Sequence, residues 1–329
     1  MKSLLIINPT AGQGRPSETI ALVEETFRAS VRKLVVTSGR GDAETAAFEA
    51  SSSGEFDEVL VAGGDGTVNE VVNGLMRGRK NDEPTIPLGL IPLGTQNVLA
   101  QELGFRGGDL DRAESAILRS KTFAMDIGVA SASPLSPAPS SVKGKPLPPA
   151  PSPVKGGGVD SRYFTLMAGF GFDAAVVNEV VAPIKELIGP AAYAFATLGA
   201  LAKYHSTKVR LELDDEEVET DAFLVIAANA SSYAFRQIKL APFASLDDGW
   251  LDVCVFERPP LDKVGFATQM MAAIAGRHLR DPRVRYYRAR RVKIDSDPPV
   301  DGQVDGDVFR PTPVTISILP RALTVYVPG

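Results

Sequence analysis

The chain has 329 residues, 44% of them apolar and 23% charged, with a net charge of −5. That length suits two domains, and the acidic total gives no electrostatic case for nucleic acid as the main partner. A single cysteine, Cys254, excludes an internal disulfide and a thiolate zinc cluster, and two histidines, His205 and His278, leave acid–base chemistry to carboxylates.

The start, "MKSLLIINPTAGQG", carries an apolar run too short for the core of a signal peptide. "SLLIIN" reads as a short buried strand, followed by the loop "PTAGQGRPSE" and a helix over 17–30 with Ile20, Leu22, Val23 and Phe27 at helical spacing. "KLVVTS" is a second strand, and "DAETAAFEAS" a helix opened by Asp42. "EVLVAG" is the third strand, leading through Gly63-Gly64-Asp65-Gly66-Thr67 into the helix "TVNEVVNGLM". "PLGLIPL" and "TQNVLAQEL" repeat the strand-then-helix order. This alternation predicts a mostly parallel sheet with helices on both faces, which binds ligands at the carboxyl ends of its strands.

From about residue 125 the pattern turns to strands. "FAMDIGVA", "RYFTLMAGFG", "KVRLELDD", "AFLVIAAN", "WLDVCVFE", "RVKIDS", "PVTISIL" and "LTVYVP" mostly alternate, with helices expected over 175–204 and 261–276. The expected organisation is an α/β domain over 1–126, a β-rich sandwich over 127–319, and a last strand over 320–329 returning to the first domain. Residues 131–160, rich in Pro, Ser and Gly, read as an extended surface insertion. The longest uncharged stretch, 187–202, is broken by Gly189, Pro190 and Gly199 and falls short of a membrane span. These features point to a cytoplasmic protein whose membrane contact is peripheral. Oligomeric state is left open, a homodimer included.

Three glycine turns fall at corresponding ends of the predicted strands: Gly12–Gly14, Gly63–Gly66 and Gly94-Thr95. Unpartnered N–H groups and the dipole at a helix start favour an anion, and glycine lets the backbone approach it. The set points to nucleotide phosphates, although neither a P-loop nor a dinucleotide fingerprint is present. A carboxylate among phosphate-binding amides repels a bare polyphosphate. Asp65 therefore reads as a cation holder or a proton acceptor, against the plainer reading of a turn residue bonded to local backbone.

Together, "GGDGTVNEV", "IPLGTQNVLAQELG", "AGFGFDA", "LAPFASLDDGWLDV" and "VDGDVF…ISILP" resemble, in order and spacing, the diacylglycerol kinase catalytic-domain family, related to sphingosine kinases. The resemblance implies ATP-dependent phosphorylation of a lipid hydroxyl in a cleft between an α/β domain, like that of NAD kinases, and a β-sandwich domain. It implies ATP contacts at Asn8, Pro9, Thr37, Gly63, Gly64, Asp65, Gly66, Thr67, Val68, Asn69, Glu70 and Thr95. It places the late acidic motif on Asp305-Gly306-Asp307. The family usually has Glu where this chain has Asp307, so the base assignment stays divided between Asp305 and Asp307. A structural Mg²⁺ is implied at the Ser245 carbonyl, Asp248 and the Trp250 carbonyl, and Asp126 joins Asp65 as a water-mediated holder of the nucleotide's Mg²⁺. Val98 stands where many members carry Asp, and "SSYAFRQIKLAP" replaces a Gly-rich stretch, which leaves the lipid open.

The run 276–293 holds eight Lys/Arg against one Asp and reads either as a solvated face or as a patch that docks on anionic lipid. Two other functions compete: an NAD kinase-like phosphorylation of a soluble substrate, and non-catalytic nucleotide or lipid binding.

Overall fold

The computed structural model describes residues 2–11, 16–27, 31–79, 85–105, 110–131, 161–172, 174, 204–233 and 238–328. The Gly12–Gly14 turn, all but the first residue of the 131–160 insertion, and the helix expected over 175–204, except Tyr204, lie outside them.

The first domain is a parallel sheet with strand order β2 (Val31–Val36), β1 (Ser3–Ile7), β3 (Glu58–Gly63), β4 (Leu88–Pro92). Every residue of β1, β3 and β4 is buried, as expected for strands covered by helices on both faces. α1 (Pro16–Phe27), α2 (Asp42–Ser53), α3 (Asp65–Gly78), α4 (Val98–Glu102) and α5 (Leu110–Leu118) surround it. α2 and α3 pack unusually close. A Cβ on Gly74 would lie 2.3 Å from the Glu44 carbonyl oxygen and 2.7 Å from the Ala47 Cβ. Gly74 and the buried alanines of α2 thus let the two helices meet backbone to side chain.

The second domain is antiparallel. β7 (Met167–Gly171), β9 (Glu216–Ala228), β8 (Thr207–Leu213) and β12 (Arg291–Asp297) run side by side. β10 (Leu251–Glu257) pairs with β9 and with β11 (Val284–Ala289). One core, built around Phe164, Phe170, Val253 and Ile316, fills the sandwich. Another, around Phe172, Phe223, Phe256 and Phe266, seats α6 (Lys263–Ile274) on the sheet.

Two strands join the halves. β5 (Thr122–Ser131) and β15 (Val314–Tyr326) form one long antiparallel ladder that starts beside β12 and ends beside β4. The segments 313–319 and 323–328, expected as two strands, are this single strand with an irregularity between Leu319 and Leu323. There Arg321 adopts φ 50° and donates its N–H to Asp126 Oδ1 at 2.7 Å. Deep in the first domain, Glu58 accepts from Ser3 Oγ at 2.5 Å and from the Tyr326 hydroxyl at 2.7 Å, tying β3, β1 and β15 together. Among the described residues, no helix is long and apolar enough to cross a membrane.

"RYFTLMAGFG", expected as one strand, is two: β6 (Ser161–Phe164) and β7. The break at Thr165-Leu166 turns backbone amides toward the hairpin of β13 (Gly302–Val304) and β14 (Asp307–Phe309). Asp305 and Gly306 sit at the tip with φ 47° and 82°, the left-handed pair that a tight two-residue hairpin requires.

Candidate active site

The ends of β1, β2, β3 and β4 open onto one cleft of about 450 Å³. Asn8 follows β1, its N–H bonded to the Ala62 carbonyl at 2.9 Å. Its side-chain amide donates to Thr67 Oγ1 at 2.9 Å, and its carbonyl oxygen accepts from Thr10 N–H and hydroxyl at 3.1 and 2.9 Å. The first loop is thereby fastened to the start of α3. Thr37, Ser38, Gly39 and Arg40 form a second wall, held by Asp42, which accepts from the Ser38 N–H and hydroxyl and the Gly39 N–H. These bonds hold the Asp42 carboxyl below its ordinary range.

The glycine turns form the floor. A Cβ on Gly94 would lie 2.5 Å from the Gly64 Cα, so the turn after β4 touches the turn after β3 backbone to backbone. A Cβ on Gly63 would lie 2.7 Å from the Thr67 Cβ. Asn97 spans its own turn, accepting from the Gly94 N–H at 2.9 Å and donating to its carbonyl at 2.6 Å. Asn8, Thr37, Gly64, Gly66, Thr67 and Glu70 all line the cleft, and Glu70 also accepts from the Gly41 N–H at 3.0 Å. Pro9, Gly63, Val68, Asn69 and Thr95 lie next to it without lining it.

Asp65 does not line the cleft either. It opens α3, and the backbone amides of Val98, Leu99 and Asn97 at the start of α4 face its carboxylate. Burial pushes its carboxyl up and those amides pull it back, while the charge of Asp305 pushes it up further. Asp65 therefore joins two helix starts, and its partners are those of a structural turn residue.

The second domain contributes the hairpin between β13 and β14, whose two aspartates part company. Asp305 is half-buried, and both its carboxylate oxygens are spent on protein donors. Its Oδ2 accepts from Thr165 N–H at 2.8 Å, Thr165 Oγ1 at 3.0 Å and Asn69 Nδ2 at 3.0 Å; its Oδ1 accepts from Leu166 and Met167 N–H, both at 3.0 Å. Burial pushes its carboxyl up against the pull of those donors. Asp307, two residues on, points into the cleft with its side chain 31% exposed. Its Oδ2 lies 2.8 Å from Arg40 Nη2 and 3.7 Å from Arg162 Nη2.

Arg162, on β6, grips the first domain. One nitrogen reaches Glu44 Oε2 and the other Asn69 Oδ1, each at 2.9 Å. Glu44 also pairs with Arg77. Asn73 donates to the Tyr163 carbonyl and accepts its N–H, both at 3.0 Å. Arg40, Arg162, Glu44 and Asn73 escape the sequence reading. Arg40 had a signal, a cation inside the glycine-flanked turn after a strand. Arg162 had none, since its partners lie 93 and 118 residues away.

The remaining expected ligands gather elsewhere. Asp126 sits on β5 against the loop 245–250, far along the chain from the glycine turns. Its Oδ2 accepts from the Gly249 N–H at 2.6 Å and its Oδ1 from the Arg321 N–H. Burial pushes its carboxyl up, and Asp248 and Asp247 add to that. Asp248 pairs with Arg288 through Oδ2 and accepts the Trp250 N–H at 3.1 Å through Oδ1. Ser245 Oγ donates to Asp247. Among the described residues no group of three or more acidic, His or Cys side chains is arranged to hold a metal ion. The carboxylates of Asp126 and Asp248 are bonded to protein donors, and Asp126 braces the loop and β15; the other two expected ligands, the Ser245 and Trp250 carbonyls, are backbone oxygens of the same loop.

Comparison with known proteins agrees with this layout. Residues 2–130 match the diacylglycerol kinase catalytic domain, and residues 167–327 the YegS C-terminal NAD kinase beta sandwich-like domain. The chain is 29% identical over 329 residues to a diacylglycerol kinase of Bacillus subtilis, covering 99% of this chain and 96% of that one. It is 29% identical over 333 residues to a diacylglycerol kinase of Staphylococcus saprophyticus, covering 100% and 96%. A crystal structure of a diacylglycerol kinase from Bacillus anthracis superposes with a TM-score of 0.68 at 22% identity, covering 99% of this chain and 96% of that one, which establishes the shared fold.

Proposed function

Because the chain belongs to the diacylglycerol kinase catalytic-domain family, we propose that it transfers the terminal phosphate of ATP to a hydroxyl of diacylglycerol or a related lipid, with Asp307 as general base. One observation carries the reading: a carboxylate from the second domain stands over a cleft whose floor is the glycine turns of the first.

Phosphoryl transfer asks the protein mainly for positioning and charge neutralisation. The floor suits this. The free N–H groups at the start of α3, with Gly64 and Gly94 in backbone contact, let phosphate oxygens approach without side chains in the way. The volume falls within the usual range of ligand sites. Among the described residues lining the cleft, Arg40 is the one cation, beside Glu70 and Asp307. In the loaded cleft Arg40 leaves Asp307 for the terminal phosphate, which both holds the phosphate and frees the carboxylate. Mg²⁺ carried in on the nucleotide supplies further charge neutralisation at the phosphates.

The lipid hydroxyl oxygen attacks the terminal phosphorus in line as the bond to the bridging oxygen of ADP breaks. The hydroxyl proton passes to the Asp307 carboxylate, and ADP leaves. Arg162 acts as a positioning residue: it holds the hairpin side of the cleft to α2 and α3 through Glu44 and Asn69. Asp305, spent on five donors, anchors the hairpin that presents Asp307.

The test is transfer of label from terminally labelled ATP into an organic-extractable product, with a panel of lipid alcohols and with NAD as competing acceptors. The proposal expects a phosphorylated lipid and a loss of roughly 10²–10⁴-fold for Asp307→Asn. Label appearing in NAD, or in no acceptor, would sink it.

A further inference from the structure

Asp307 hangs from a piece of chain that should be soft. It opens β14, a strand of three residues that, among the described residues, pairs only with β13. The residue before it is Gly306, exposed and at φ 82°. Glycine moves between backbone conformations at little cost, so rotation at Gly306 would swing the Asp307 carboxylate out of the cleft. General-base chemistry needs the opposite, a carboxylate held within hydrogen-bond reach of the hydroxyl. Asp305 fixes the near side of the tip, through five donors on its carboxylate and through its own N–H, which donates to the Met167 carbonyl at 3.0 Å. The far side has the short ladder to β13 and the Asp307–Arg40 pair. That pair is the contact ATP takes apart in the mechanism above, so Asp307 loses its own tether at the moment its direction matters.

Gln303 supplies a brace that ATP does not touch. It sits in the middle of β13, 2% exposed, and its Oε1 accepts the Gly306 N–H at 2.7 Å. The bond crosses the turn and fixes the one residue that could pivot. The polarity of the position is the second signal. Gly302 and Val304 on either side are buried, and Val304 belongs with Phe170 and Val300 to the sandwich core. An apolar side chain of the same length would fill such a place without the cost of desolvating an amide. Gly306 itself is exposed, so water can take its N–H when the glutamine is absent. The bond therefore adds little to the stability of the fold and much to the order of the tip.

We infer that Gln303 is a positioning residue for phosphoryl transfer: by clamping the Gly306 N–H it sets the direction of the Asp307 carboxylate once Arg40 has moved to the phosphate. The inference rests on the reading of Asp307 as the base.

The experiment compares the full-length wild type with Gln303→Met, which keeps the length of the side chain and removes the acceptor. Turnover of a short-chain diacylglycerol dispersed in detergent should fall roughly 10- to 100-fold, as for a small misplacement of a reacting group. The ATP dissociation constant should stay within about 2-fold of wild type, and Tm within about 5 °C. In the Asp307→Asn background the same substitution should lower turnover by less than about 2-fold, because it acts only through the carboxylate. Hydrogen exchange at the Gly306 amide, followed by NMR, reads the clamp without reference to turnover: exchange should be at least ~10-fold faster in Gln303→Met than in wild type. Wild-type turnover in Gln303→Met, a parallel loss of ATP binding and Tm, or a full further loss in the Asp307→Asn background would each overturn the inference. Asp307→Asn turning over like wild type counts against the base, and the exchange rate then decides the clamp by itself. Should Gln303→Met fail to fold, the wild type still decides: a Gly306 amide that exchanges as fast as an unstructured peptide contradicts the clamp, and one protected at least ~10-fold supports it.

Discussion

Replacing Asp305 with Asn tests the division of labour between the two hairpin aspartates. The carboxylate receives five hydrogen bonds, three on Oδ2 and two on Oδ1. Asparagine keeps one acceptor oxygen. In its better orientation that oxygen serves the Oδ2 donors, and the new amide nitrogen faces the Leu166 and Met167 N–H groups, which lose their acceptor. Each buried donor left without a partner costs about 1–3 kcal/mol. Removing a desolvated charge, and its repulsion of Asp65, returns part of this. The net expectation is a loss of about 2–4 kcal/mol, read as a fall in Tm of roughly 5–10 °C. Asp307→Asn should behave oppositely. Its partner Arg40 is 74% exposed, so stability should change by about 1 kcal/mol or less, while turnover falls. The assay is thermal or urea unfolding beside label transfer for both variants. An Asp305→Asn protein as stable as wild type would refute the assigned role of the five donors.

Other substitutions probe other parts of the site. Arg40→Ala should weaken ATP binding about 5- to 50-fold with little change in Tm, measured by calorimetric titration, because it removes a phosphate ligand whose side chain otherwise faces water. Gly94→Ala drives a Cβ to 2.5 Å from the Gly64 Cα; separating the two turns should cost about 1–3 kcal/mol and abolish measurable nucleotide binding at concentrations that saturate wild type. His278 accounts for a pH effect. It is buried, its Nε2 lies 3.0 Å from the Leu240 carbonyl, and burial holds its pKa below the ordinary 6.5. The unfolded chain therefore binds a proton before the native state does, so stability is full above about pH 6.5 and is lost as pH falls toward the lowered native value. His278→Gln should flatten that part of a stability-versus-pH curve, and an unchanged slope would count against a neutral buried imidazole.

Much of the fold could be read because its signals are local. The run "EVLVAG" into Gly63–Thr67 reads as strand, turn and helix wherever it occurs, and β1, β3 and β4 are continuous apolar runs because both faces are covered. Reading failed where geometry depends on distant pairing. "VDGDVF" was read for its acids, yet its Asp-Gly pair is also a hairpin turn, and that turn sends Asp305 inward and Asp307 outward. The break at Thr165-Leu166 exists because its amides serve Asp305, about 140 residues later, and no periodicity reports this. Asp65 looked like a cation holder in a phosphate turn; its amide partners belong to α4, whose N-terminus reaches it only when β3 and β4 pair. The loop at 245–250 was expected to hold Mg²⁺ only through its resemblance to the family's; that Asp248 pairs with Arg288, and that Asp126 on β5 takes the Gly249 and Arg321 N–H groups, joins segments 40 to 195 residues apart, which no local pattern reports.

The base assignment is tested most directly by single-turnover transfer from labelled ATP to dispersed diacylglycerol, with enzyme in excess, comparing wild type, Asp307→Asn and Asp307→Glu. This isolates chemistry from binding and product release. A carboxylate that takes the hydroxyl proton predicts transfer slowed roughly 10²–10⁴-fold in the asparagine variant, substantial recovery in the glutamate variant, and an ATP dissociation constant no weaker than wild type in either. An asparagine variant that transfers phosphate at the wild-type single-turnover rate would contradict it.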